Sequence, residues 1–348
     1  EANVVYRSSG MVPGEEYVSS FVLSRQMTSG KMTLRDFNFQ KPSLDLTSQK
    51  EAGSFTRLEV YDYPGEYLEP GRGKQLADIR LQESVTFSES AEGNSVCSRF
   101  NPGFTFKLSE HELEGFNQDY LLVNVIHTGA QPQALEEQAG RAESSYSNQF
   151  LCVPSSVTFR PGRATPKPVV EGVQTAIVTG PSGEEIYTDE HGRVKVQFHW
   201  DREGNNDDKS SCWIRVSQVW AGAGWGAMYI PRIGHEVIVD FVEGDPDRPI
   251  ITGRVYHGTN TPPYTLPDDK TKSTVKSDSS LGGGGSNELR FEDKKGEEEV
   301  FLHGQKDWTI AIENDKNQTV GHDETLSVGH DRTKNVNNNQ NETIGVNK

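Results

Sequence analysis

From Lys316 onward the chain repeats in eights: Lys-Asn-Gln-Thr-Val-Gly-His-Asp, then Glu-Thr-Leu-Ser-Val-Gly-His-Asp, then two diverged copies. Val320, Val328, Val336 and Ile344 recur at a spacing of eight, and Ile312 extends the series back one step. Gly321, Gly329 and Gly345 follow their aliphatic residues, with Asn337 in the remaining copy. A period of eight suits neither a heptad coiled coil nor an amphipathic helix. It suits a strand of five or six residues plus a bend, repeated. Glycine at the bend permits backbone angles that other residues resist, and Asn is its common substitute.

Composition constrains how such a repeat is ordered. Between Lys316 and Lys348 the only aliphatic residues are Val320, Leu326, Val328, Val336, Ile344 and Val346. One buried aliphatic per strand contributes about 1.5–3 kcal/mol, whereas ordering each residue's backbone costs about 1–2 kcal/mol. One chain cannot offset that cost. Several chains wrapped together share a narrow core of Val320, Val328, Val336 and Ile344 and pair every strand edge. The alternative is a disordered polar tail, against which the aliphatic register argues.

The whole chain has 348 residues, enough for two or three domains, with 35 basic against 51 acidic side chains and a net charge of −16. That charge argues against nucleic acid or an anionic membrane as main partner. No apolar run approaches the roughly 20 residues of a spanning helix. Glu1 opens the chain with neither Met nor a basic-then-apolar leader, as expected of an internal piece of a longer protein. Cys97, Cys152 and Cys212 are far apart, with no C-x-x-C pair and no metal-ligand spacing, and are expected as reduced thiols.

The chain changes character along its length. Residues 1–165 alternate short apolar stretches with turns; Leu121–Ile126 reads as a buried strand and Ala134–Ser144 as a short helix. Pro154–Pro168 holds four prolines and reads as an extended linker at a domain boundary. Residues 170–258 have the clearest strand pattern. Val194, Val196, Phe198 and Trp200 fall on one face, and Lys195, Gln197 and His199 on the other. Further runs at Thr175–Val178, Trp213–Val219, Val237–Phe241 and Ile250–Tyr256 suit a small closed barrel. Residues 259–286 read as a neck or linker, and 287–348 as the start of the repeat structure.

Several segments, in order, carry a family resemblance. Gly180–Arg202 (Gly-Pro-Ser-Gly-Glu-Glu-Ile-Tyr-Thr-Asp-Glu-His-Gly-Arg-Val-Lys-Val-Gln-Phe-His-Trp-Asp-Arg) is one, and Ser211–Gln218 another. Pro231–Val237, Gly244–Pro249, Asn287–Asp293 and the octads complete the set, and the likeness runs from about Tyr61-Asp62-Tyr63-Pro64-Gly65 to the end. These resemble VgrG, the valine-glycine repeat spike family of bacterial type VI secretion, akin to the hub and spike of contractile phage tails. The resemblance implies a mainly β fold: the later part of a hub-like base, an oligonucleotide/oligosaccharide-binding (OB) barrel, then the start of an intertwined triple-stranded β-helix. It implies a homotrimer whose base docks on a tube of Hcp rings and whose needle carries a PAAR-repeat tip protein or effector. The assembly would form in the bacterial cytoplasm, then be secreted or injected through a target membrane. If each octad is one strand, four stack to roughly 20 Å.

No catalytic, cofactor or metal site is expected. His199, Trp200 and Asp201 read as a surface group at a turn, and Ser182 lacks the Gly-x-Ser-x-Gly elbow. His111-Glu112-Leu113-Glu114-Gly115 lacks the second His of a zinc-protease helix. Asp201–Asp208 lacks calcium-loop spacing, and Gly282–Gly285 lacks the Lys-Ser/Thr of a phosphate loop. His322 and His330 share an octad phase, so an assembly presents them together, inward or outward. Trp220 and Trp225 lie in a glycine-rich loop as contacts between subunits, barrel filling or free surface. Two other functions compete with a spike: a carbohydrate-binding module, and a carrier of an enzyme domain beyond Lys348.

Overall fold

The computed structural model describes residues 2–9, 14–131 and 144–346. Two compact units divide the chain, Glu1–Pro166 and Lys167–Lys348. The helix expected at Ala134–Ser144 lies, but for Ser144, outside the described residues.

The first unit is built on a closed six-stranded barrel. Its strands are β1 (Ala2–Tyr6), β2 (Tyr17–Arg25), β6 (Glu89–Ser95), β9 (Ser145–Pro154), β8 (Asp119–Ala130) and β7 (Thr105–Ser109), in that order around the ring. β1 pairs in parallel with both β2 and β7, and the other pairs are antiparallel. Aromatic rings fill the interior: Phe21, Phe100, Phe106, Tyr120 and Phe150 are all buried. Gly93 on β6 lets the barrel close around them, since a Cβ there would lie 2.5 Å from both Phe150 Cζ and the Ser20 carbonyl. Leu121–Ile126 is a strand, but not one buried throughout. Tyr120 and Leu122 point inward, the register shifts between Leu122 and Asn124, and Ile126 is 59% exposed.

Beside the barrel, β3 (Lys31–Leu34) lies between β4 (Ser48–Glu51) and β5 (Glu59–Asp62), with α1 (Pro70–Val85) packed on the sheet. Proline at the start of α1 wastes no hydrogen bond, because the first N–H groups of a helix have no intrahelical acceptor. Buried Asp36 accepts the Glu66 N–H at 2.6 Å and the Tyr67 N–H at 3.3 Å, setting the turn that follows Tyr63-Pro64-Gly65. The Pro-rich segment starts as a strap along α1. Arg160 N–H donates to Thr86 Oγ1 at 3.2 Å, and its Nε to Gln82 Oε1 at 2.9 Å.

In the second unit, five strands run β11 (Lys195–Phe198), β10 (Gln174–Thr179), β13 (Glu236–Phe241), β14 (Pro249–Val255) and β12 (Arg215–Val216). The ring closes through one pair, Val194 with Ile214, which exchange N–H···O bonds of 3.0 and 2.9 Å. Ala176, Val178, Val194, Val196, Ile214, Val237, Val239 and Ile251 fill its core. The Trp213–Val219 run contributes only the two residues of β12. Trp200 departs from the expected inward face and is 66% exposed. β11 ends at Phe198, so the alternation stops; Trp200 stacks on Phe198 at 5.2 Å and donates to Gln174. Gln197 instead turns inward to hold the following acidic loop, donating to the Asp201 carbonyl at 3.1 Å.

Beyond this ring, β15 (Lys272–Lys276), β16 (Glu288–Glu292) and β17 (Glu299–His303) form an antiparallel sheet. β15 lies in the stretch whose composition reads as a linker. From residue 304 to 346, all described, there is no strand.

Candidate assembly surface

The octads place their bends with the period of the sequence. The backbone bends at 305–306, 313–314, 321–322, 329–330, 337–338 and 345–346, a step of eight each time. From the second of these onward an aliphatic residue precedes each bend, and its exposure hardly varies: Ile312 47%, Val320 46%, Val328 46%, Val336 42% and Ile344 43%. Equal exposure means that each occupies the same place in a regular repeat. None is buried by its own chain. Gly321, Gly329 and Gly345 do not use the backbone angles that other residues resist, and a Cβ at any of them would meet nothing within 4 Å. The bend uses ordinary backbone angles, which is why Asn337 makes it equally well. His322 and His330 are exposed and each pairs with the next aspartate, at 2.8 and 2.9 Å.

The sheet β15–β17 has two unlike faces. In register, Val275 faces Leu289 and Leu289 faces Leu302; one step along, Ser273 faces Phe291 and Phe291 faces Val300. Side chains two apart share a face, so five apolar residues lie together, exposed from 38% at Leu289 to 70% at Val300. The opposite face is mostly polar and largely paired within the sheet, the buried Arg290 Nε excepted. Buried Glu288 accepts from the Tyr264 hydroxyl and from Thr274 Oγ1 at 3.0 Å, while Arg290 pairs with Glu299 and lies 4.4 Å from the Phe301 ring centre. Burial pushes the Glu288 carboxyl up, but its hydroxyl donors and Lys276 outweigh this and hold it below the usual carboxylate range. The sheet thus turns five apolar side chains outward and keeps its charged pairs on the other side. Sequence reading missed it because β15 offers only Val275; the alternation Glu-Leu-Arg-Phe-Glu at 288–292 was its one local signal.

The third element is a hairpin. Ala221 and Gly226 bridge, Gly222 N–H donates to the Trp225 carbonyl at 2.8 Å, and Ala227 N–H to that of Trp220 at 2.9 Å. This brings Trp220 and Trp225 edge to face at 5.0 Å, 63% and 59% exposed, beside Val219 and Met228 at 87% and 77%. Gly226, at φ +139°, has no room for a side chain against the Trp220 carbonyl 2.3 Å from its would-be Cβ. Trp213 instead packs beside Tyr187 at 4.9 Å with Lys195 over its ring.

Two of the residues weighed for chemistry, His111 and Asp201, make local structural contacts. His111 packs among Tyr6, Phe21 and Phe116 and accepts the Leu113 N–H. Asp201 accepts the Glu203 and Gly204 N–H groups of its own loop. Among the described residues no group of three or more His, Cys, Asp or Glu is placed to hold a metal ion, and no helix is long and apolar enough to cross a membrane. All three cysteines are free.

Comparison with known proteins divides the chain into three matched stretches. Residues 1–133 match the phage tail baseplate hub model, and 176–256 the type VI secretion system/phage-baseplate injector OB domain. Residues 273–348 match the bacteriophage T4 gp5 C-terminal trimerisation domain, which spans both the sheet β15–β17 and the octads. The type VI secretion system spike protein VgrG4b of Pseudomonas aeruginosa is 46% identical over 90% of this chain and 40% of its own length. Actin cross-linking toxin VgrG1 of Vibrio cholerae is 44% identical over 86% of this chain and 28% of its own length. The chain thus spans well under half the length of these curated relatives. A solved Escherichia coli type VI secretion component, described as similar to T4 gp27 and gp5, aligns at 20% identity and TM-score 0.43, over 73% of this chain and 50% of its own. With hub, OB and trimerisation stretches in that order and relatives above 40% identity along most of its length, the chain belongs to the VgrG spike family.

Proposed function

We propose that this chain forms part of the trimeric spike of a type VI secretion machine, and that its role is mechanical. The observation that carries this is the octad geometry: bends every eight residues, aliphatic residues equally exposed, and no strand partner among the described residues. Such a backbone leaves its hydrogen-bonding groups and its aliphatic row for other chains. Two further copies satisfy both, with Val320, Val328, Val336 and Ile344 lining the shared core. The open space at Gly321, Gly329 and Gly345 then admits the backbone of a neighbour. The apolar face of β15–β17 supports the same reading, as does the Trp220–Trp225 hairpin as a contact between subunits.

In this reading residues 1–165 are the later part of the hub-like base and dock on an Hcp tube. Residues 170–258 are the OB barrel, 259–286 the neck, and 287–348 begin the needle. A PAAR-repeat tip protein or effector is carried at the needle end. The machine forms in the bacterial cytoplasm and its spike is driven outward through a target membrane. A rod whose backbone groups are all paired between chains resists bending, as a piercing element must. The chain itself catalyses nothing, and an enzymatic cargo is carried outside these residues.

Sedimentation equilibrium tests it. The expected mass is about 116 kDa, three times 38.7 kDa, at micromolar concentration. Replacing Val320 and Val328 with Asp is expected to give monomers, since each buried valine contributes about 1.5–3 kcal/mol and a buried unpaired charge costs more. A wild-type chain that stays monomeric at every concentration overturns the reading.

A further inference from the structure

A pocket of about 270 Å³ opens in the second unit, lined by His235, Glu236, Arg254, Val255, Tyr256 and Asn260. Arg254 stands on β14 opposite Val237 and donates one N–H to the Tyr229 carbonyl. Among the described residues no carboxylate lies within ion-pair distance of it. Elsewhere in this unit Arg193, Arg232, Arg248 and Arg290 each have one, at 2.6, 3.9, 3.9 and 2.5 Å. Desolvation lowers the Arg254 pKa, and no acid acts the other way.

His235, in the same lining, supplies a second donor. His235 Nδ1 accepts the Arg232 N–H at 3.3 Å, so the neutral ring carries its proton on Nε2 as a donor. Asn260 Nδ2 and His257 Nε2 are already engaged with the Gly234 carbonyl, at 2.8 and 3.3 Å. The acid in the lining, Glu236, lies 3.8 Å from His199. The pocket therefore offers a guanidinium with most of its N–H groups uncommitted and an imidazole N–H, the donor set of a carboxylate site.

We propose that this pocket binds a carboxylate side chain from a neighbouring copy of the same chain. Two observations favour that source. The chain carries 51 acidic side chains against 35 basic ones, so a second copy presents carboxylates readily. Tyr229, whose carbonyl Arg254 holds, also pairs with Gln218 at the base of the exposed Trp220–Trp225 hairpin, so the pocket adjoins that apolar surface. The assignment rests on the trimer proposed above, and its test separates the two. Sedimentation equilibrium of the full chain is run at about 50 and 500 mM NaCl, which span weak and strong screening, for wild type, Arg254→Gln and Arg254→Lys. The expected result is trimer association weakened at least about tenfold in Arg254→Gln at low salt, with Arg254→Lys partly retained. In Arg254→Lys, a zero-length carbodiimide is expected to join the introduced amine to an Asp or Glu of another copy, located by mass spectrometry. Unchanged association in Arg254→Gln with no such cross-link overturns the assignment while leaving the trimer standing. Thermal stabilisation by acetate or phosphate without a cross-link also overturns it, placing a free anion there. A monomeric wild type instead removes the trimer itself.

Discussion

Asp245 shows how a buried acid is used in this chain. With 9% of its side chain exposed, it accepts from Lys167 Nζ at 2.8 Å and from the Asp247 N–H at 2.9 Å. Burial pushes its pKa up, but these bonds and the charges of Lys167 and Arg248 outweigh it, so the carboxyl titrates below its ordinary range. A folded pKa below the unfolded one stabilises the fold fully above the unfolded value, about 4, and loses that contribution as pH falls through the folded value. Asp245→Asn is expected to cost about 1.5–3 kcal/mol at pH 7 and to flatten the acid limb of stability. All five tryptophans lie beyond Lys167, so their fluorescence during urea unfolding follows the second unit. Identical acid limbs in the two proteins would remove Asp245 as the cause. The thiols give a simpler check. Cys97 and Cys152 are buried, and burial pushes both thiols up, whereas Cys212 is exposed. A thiol reagent is expected to react at one site per folded chain and at three in denaturant.

Among the elements, the sheet β15–β17 is the most exposed to test. Leu289→Asp puts a charge at the centre of the apolar face, between Val275 and Leu302. If copies bury that face, trimers are expected to dissociate at micromolar concentration. A face left in water would change association by no more than about 0.5 kcal/mol. The same sheet marks the limit of what can be inferred before folding. β13 and β11 were legible because Val237, Val239 and Phe241, or Val194, Val196 and Phe198, alternate over a complete strand. β15 was not, since Lys272, Ser273, Thr274, Val275 and Lys276 carry one apolar residue and owe their pairing to β16. The first barrel was hidden for a related reason. β1 pairs with β7 about a hundred residues away, and a contact that distant leaves no local pattern. The octads were the most legible part because their period is carried by each repeat; the bends fall at that period, but no strand forms between them within the chain, and the glycines adopt no special backbone angle. The pocket at Arg254 had no sequence signal, because what sets it apart is the lack, among the described residues, of a carboxylate within ion-pair distance of Arg254.

At the scale of the whole molecule, charge and assembly pull in opposite directions. A chain of net charge −16 that gathers copies of itself works against its own field. Local attraction must be arranged against that background, by apolar faces that salt does not screen and by few opposed charges that it does. The division of labour is visible along the chain. Globular cores hold the first barrel and the five-stranded ring, whereas the octads bury no core of their own and, in the proposed trimer, are ordered by their neighbours.

The regular bend at every eighth residue also bears on inheritance. A unit that meets only its immediate neighbours can be duplicated or lost without disturbing the rest of the array. A one-residue insertion, by contrast, turns every later aliphatic residue to the wrong side. Viable lengths of such a rod therefore differ by whole octads, roughly 4.8 Å apiece. Its reach would evolve in discrete steps, by copying, and Asn337, where the other copies have Gly, is a difference that leaves the count intact.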